Sequence, residues 1–295
     1  MRSATIKAIS TPSEAPDRAG LSRFAFVRTL LASLAVCVPV ALVLVPAAQI
    51  ADKSLRMHWP PLLAALLGLS GYFLYVRRIE RRFPAELAGA GWPREALAGA
   101  LIGTLLFLAA LGLAAAIGDY HFLGTGGWDR LAKTVTEMIF VATIEEVLFR
   151  GVLFRIPERS LGTWWAMLLS AVFFALAHVP NHDVTVLAVI NTALAGVLFT
   201  AAYLATRRLW LPIGMHFAWN LIPAGILSLP NSGNPGRGLL QGELSGPQWI
   251  TGGAYGIEGS VITLVLFGVA SLWLLRRAMR AGHLVARPGA VKAPA

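Results

Sequence analysis

Thr143-Ile144-Glu145-Glu146-Val147-Leu148-Phe149-Arg150 lies inside a largely apolar run from about Val135 to Ile156. At about 1.5 Å of rise per residue, such a run is long enough to cross a bilayer. Each charged residue at mid-membrane costs roughly 2.5–3.5 kcal/mol on insertion-based scales. Three of them in so short a space need a compensating reason, and an intramembrane ionisable group is a functional-site hypothesis by default. Glu146 and Arg150 are four apart on one helical face, with the glutamate N-terminal, the favourable order for an ion pair. Glu145 lies about 100° round the helix from Glu146. It is left without an evident partner on its own helix, and a carboxylate in that position suits a general base.

Two further apolar segments carry groups that complete such a site. His178 closes Phe173-Phe174-Ala175-Leu176-Ala177-His178, and His216 and Asn220 lie in Gly214-Met215-His216-Phe217-Ala218-Trp219-Asn220. Phe174 and His178 share a helical face, as do His216 and Asn220, because each pair is four residues apart. The succession EExxxR, FxxxH and HxxxN, each on its own apolar helix, resembles the CPBP intramembrane proteases. That family includes the type II CAAX prenyl endopeptidases and the bacterial Abi, or bacteriocin-processing, proteins. The resemblance covers roughly residues 135–225, and the motif residues show no departure from the pattern.

Composition agrees with a membrane protein. Hydrophobic residues make up 56% of the 295 and charged residues 14%, with a mean hydropathy of +0.66. The net charge of +10 could suggest nucleic-acid binding. The basic residues, however, gather at the ends of apolar segments, as membrane topology requires, so no nucleic-acid partner is expected. Cys37 is the single cysteine, which excludes an intramolecular disulfide.

Eight apolar runs follow one another, at about 24–50, 59–76, 96–118, 135–156, 161–179, 184–206, 209–229 and 257–275. Residues 1–22 read as a disordered tail, 23–280 as the membrane domain and 281–295 as a flexible tail. Pro157-Glu158-Arg159-Ser160 reads as a short polar break, Pro223 as a kink, and 230–256 as a Gly/Pro/Asn-rich loop. Of the 25 lysines and arginines, only Lys53, Arg56, Arg130, Lys133 and Arg237 fall in the odd-numbered connections. The expected fold is therefore all-α, a polytopic transmembrane helical bundle of about eight spans with both termini cytoplasmic. These boundaries place His178 nearer the outer end of its span than Glu145. Convergence then needs a tilted, shifted or broken helix.

The resemblance implies an integral membrane endopeptidase, of the bacterial inner membrane, acting on a protein or peptide that can be membrane-anchored or lipidated. By the same resemblance Glu145 and His178 activate water, His216 and Asn220 donate to the oxyanion, and Glu146, Arg150 and Phe174 support them. No cofactor is favoured. The alternative is a zinc ion held by Glu145, His178 and His216, although the HExxH spacing is absent. Two competing classes are a proton-coupled transporter, since buried Glu and His chains also relay protons, and a non-catalytic scaffold or immunity protein. No internal repeat of the kind many transporters carry is visible.

Overall fold

The computed structural model describes residues 24–288. The N-terminal tail expected over 1–22 and the last seven residues lie outside them. The chain forms an all-α membrane bundle: α1 (Ala25–Ala48), α2 (Trp59–Arg78), α3 (Trp92–Ile117), α4 (Trp128–Glu146), α5 (Arg155–Leu161), α6 (Thr163–His178), α7 (Val186–Thr206), α8 (Trp210–Leu221), α9 (Gln248–Thr251) and α10 (Val261–Arg280). Among the described residues, five segments are long and apolar enough to span a membrane: 25–48, 54–78, 92–117, 186–206 and 261–280. The other three expected runs are helical but differ in form. The fifth, α6, is shorter, while α4 and α8 each run on into a π-helical segment, Val147–Phe154 and Ile222–Leu227.

One boundary differs from expectation, and the difference fixes the depth of the site. Pro157-Glu158-Arg159-Ser160 is not a break; it lies within α5, which prolongs α4 through the first π segment. Pro157, which has no backbone N–H to donate, stands three residues past the π segment, where the regular helical bonding is already interrupted. Glu158 is buried and accepts hydrogen bonds from Thr163 and Arg207, so the polar stretch is paired rather than looped. The chain turns instead at Gly162, whose φ of 76° favours a residue without Cβ. Glu145 and His178 are thus nearly equidistant from one tight turn, on the two arms of a helical hairpin. The two arms thereby bring Glu145 and His178 to within 3.9 Å of each other.

Connections expected on the same side do meet. Two connectors pair as antiparallel strands β1 (Asp119–Thr125) and β2 (Leu240–Ser245), where the sequence suggested only coil. On the opposite side, the residues after α10 are tied to the α6 start and the α7 end. Thr163 and Val285 exchange hydrogen bonds, and His283 Nδ1 donates to the Leu204 carbonyl. The tail expected to be flexible from 281 is therefore held at least as far as Val285. With Cys37→Ala as background, Ser245→Cys on β2 and Ser160→Cys on α5 are both exposed. If the termini are cytoplasmic, an impermeant maleimide applied to intact cells labels the first and not the second; the reverse pattern inverts the topology.

α3 and α8 approach backbone to backbone. A Cβ at Gly99, Gly103 or Gly214 would lie 2.1, 2.3 or 2.0 Å from a carbonyl oxygen of the facing helix. Small residues permit this contact, the general route to helix association in lipid. It seats the helix that carries His216. At the termini side, a buried charge cluster joins α1, α2, the connector after α2, and α5. Glu80 accepts from Arg28, Arg82 and both terminal nitrogens of Arg155, and Glu86 accepts from Arg82 and Tyr72. Burial alone would favour the neutral acid, but Arg155, then Arg82 and Arg28, hold Glu80 down to about 2. A depressed carboxylate contributes stability above its unfolded value and loses it as pH falls through the folded one. Thermal stability in detergent should therefore fall between about pH 4.5 and 2 through loss of roughly 3 kcal/mol. Glu80→Gln should be less stable at neutral pH and flatter across that range.

Candidate active site

Glu146 ends α4, and the π segment that follows begins with the next residue. A π turn places an extra residue in the helix and is common at functional sites. The expected Glu146–Arg150 pair forms at 2.8 Å, both side chains fully buried. Arg150 also donates to the Gly196 carbonyl of α7, and its guanidinium lies 4.6 Å from the Phe174 ring and 5.1 Å from Phe199. Three helices thereby close on one cation. Phe174 packs against His178 at 4.6 Å and Phe149 at 4.9 Å between ring centroids, the packing role expected of it.

Glu145, His178, His216 and Asn220 line one cavity of about 280 Å³. Oε2 of Glu145 is 3.9 Å from Nε2 of His178 and 4.0 Å from Nε2 of His216. Gaps of this size match two hydrogen bonds of about 2.8 Å through a single water. That oxygen of Glu145 has no hydrogen-bond partner within the protein. The Glu145 side chain as a whole is 27% accessible, against 17% for His178 and 4% for His216, although Oε2 itself is buried.

The back of each imidazole is engaged. His178 Nδ1 meets the Phe174 carbonyl at 2.7 Å, and a carbonyl only accepts, so that nitrogen carries the proton. His216 Nδ1 meets Oε1 of Glu146 at 2.8 Å, and its ring stacks on Phe199 at 4.7 Å. Both rings therefore present Nε2 to the cavity. The Glu146–His216 contact is absent from the sequence reading, which paired Glu146 with Arg150 alone. A carboxylate behind Nδ1 is the arrangement that supports an imidazolium.

Other lining residues went unnoticed in the sequence. Asn191 of α7 is 1% exposed, and its amide nitrogen donates to the carbonyls of Glu258 and Ser260. Its oxygen, like that of Asn231, is buried without a partner and belongs to the cavity wall. A lone amide in an apolar run was the available signal for Asn191. Glu258, just before α10, accepts from the Ser232 backbone and hydroxyl and pins the loop over the cavity. Burial pushes its carboxyl above the usual range.

Among the described residues no three His, Cys, Asp or Glu side chains are arranged to hold a metal ion. Ligands of a tetrahedral zinc with bonds near 2.0 Å stand about 3.3 Å apart, closer than these separations.

Residues 127–222 match the family described as type II CAAX prenyl endopeptidase Rce1-like. A Bacillus subtilis (strain 168) protein named "Putative membrane peptidase YdiL" is 28% identical over 168 residues, 53% of this chain and 64% of the relative. The chain thus spans less than two thirds of the length of the curated relative it matches. No solved structure matches.

Proposed function

We propose that this chain, whose residues 127–222 match the Rce1-like family, is an intramembrane endopeptidase of the plasma membrane. The observation that carries the reading is the convergence of Glu145, His178 and His216 within 4.0 Å of one carboxylate oxygen, beside Asn220. Water held between Glu145 Oε2 and His178 Nε2 loses a proton to Glu145 as its oxygen bonds to the scissile carbonyl carbon. The carbonyl oxygen becomes an oxyanion. Asn220 donates an amide N–H to it, and one such donor is worth about 2.7–4 kcal/mol in the transition state.

His216 is assigned a modified part. With its Nδ1 proton directed at Glu146, the neutral ring offers Nε2 only as an acceptor. To donate to the oxyanion it takes up a second proton at Nε2 from bulk water before substrate binds and keeps it through the cycle, with Glu146 behind Nδ1 as counter-charge. Collapse of the intermediate breaks the C–N bond, and the proton taken by Glu145 passes to the departing amine. Every atom is accounted for without a cofactor. Substrates are proteins or peptides, membrane-anchored or lipidated ones included, that reach a cavity at mid-bundle.

The test is proteolysis of a peptide library by the purified full chain, with elemental analysis and a strong chelator alongside. Cleavage that survives the chelator, with negligible bound zinc, is expected. Stoichiometric zinc lost in His216→Ala would move His216 from donor to ligand. No cleavage, together with proton flux in vesicles that depends on Glu145, would replace the peptidase by a proton relay.

A further inference from the structure

The five basic residues of the odd-numbered connections come from three separate stretches of chain. Lys53 and Arg56 follow α1, Arg130 and Lys133 open α4, and Arg237 lies in the loop before β2. The fold brings them together. Arg130, Lys133 and Arg237 line a cleft of about 710 Å³ that shares Met138, Val141, Asn231 and Asn234 with the active-site cavity. A second cleft of about 500 Å³ adds Lys53 and Arg56 and shares Lys133, Glu137 and Arg237 with the first. Through these shared walls the three hollows adjoin one another, from Glu145 to the basic residues of the opposite face.

The charge lining the two clefts is unbalanced. Glu137 is the single acidic residue lining either cleft, and it is paired with Lys133 at 3.2 Å. Lys53, Arg56, Arg130 and Arg237 have no ion pair among the described residues, and Arg56 Nε is buried without a hydrogen-bond partner. Membrane topology does not call for cations on this face. Like charges from three connectors repel one another, so their assembly is explained by an anion that they share.

We propose that this basic groove binds an acidic segment of the peptide substrate, set apart from the bond presented to Glu145. A peptide is favoured over a lipid headgroup because the groove opens into the active-site cavity through shared lining residues. Spacing sets the length. Lys133 and Arg130 precede Glu145 on one continuous helix by about 18 and 22 Å, which an extended chain covers in about five to seven residues. The inference rests on the peptidase reading for what the groove feeds, but binding can be measured without cleavage.

The probe is a pair of dye-labelled peptides: an apolar stretch followed, six residues on, by Glu-Glu-Glu-Glu or by Gln-Gln-Gln-Gln. Both are titrated against the full-length Glu145→Gln protein in nanodiscs of zwitterionic lipid. The acidic peptide should bind at least about 10-fold more tightly in 50 mM salt, with the preference collapsing in 1 M salt, where the screening length is about 3 Å. Arg130→Gln/Lys133→Gln/Arg237→Gln, substitutions at exposed positions, should bring the ratio near one while thermal stability is unchanged. Equal binding of the two peptides, or a preference that survives the triple substitution, overturns the proposal. So does retention of anionic lipid by the wild type, lost in the triple variant, when no peptide preference is seen. Selective binding without any cleavage by the wild type would instead retire the peptidase and leave the groove standing.

Discussion

Glu145→Gln should lower cleavage by about 10²–10⁴-fold, the usual contribution of a positioned acid–base group, while the protein folds and purifies as the wild type does. The asymmetry follows from the surroundings of this carboxylate. Among the described residues it forms no ion pair with a lysine or arginine, and the oxygen facing the histidines has no hydrogen-bond partner. The amide keeps the shape and loses only the capacity to take a proton. The loss should fall on kcat rather than on KM, because proton transfer belongs to the transition state. Turnover near the wild-type rate would remove Glu145 from the chemistry.

Arg150→Ala should act in the opposite manner, on the fold first and on activity through it. Breaking a buried pair by removing one partner costs about 3–5 kcal/mol, because the other charge is left uncompensated. Here the loss includes the Gly196 carbonyl contact and the seat between Phe174 and Phe199. A fall in Tm on the order of 10 °C is expected for a protein of this size. Arg150→Lys should recover only part of it, since an ammonium cannot reproduce the planar fork of a guanidinium. Glu146→Gln should also lose stability, and its residual activity should show an altered pH profile because Glu146 also holds His216 Nδ1. Thermal melts in detergent, beside the pH dependence of kcat, separate the two glutamates. Unchanged stability in Arg150→Ala would overturn the structural role given to the pair.

What could be read in the sequence was what one helix decides alone. Spacing four apart put Glu146 on Arg150 and excluded Glu145 from that pair, and apolar run lengths located eight helical segments. The rest depended on contacts between helices. Nothing local shows that His216 of α8 turns its Nδ1 to Glu146, or that Asn191 tethers the residues before α10. The polar stretch Pro157–Ser160 misled because it was read as a break; Glu158 is buried and paired with Arg207, just past the end of α7. The pairing of β1 with β2 was equally hidden, since 114 residues separate their nearest ends. The site residues were visible as types and positions, while their tautomers and depth required the fold.

The hairpin about Gly162 works as a gauge. Every residue added to or removed from the stretch between Glu145 and His178 would slide one arm past the other by about 1.5 Å and swing its catalytic group by about 100°. The count there matters independently of which side chains fill it. Tolerance for inserted or deleted residues should thus be confined to the connectors, and the interval joining Glu145 to His178 should behave as a fixed length.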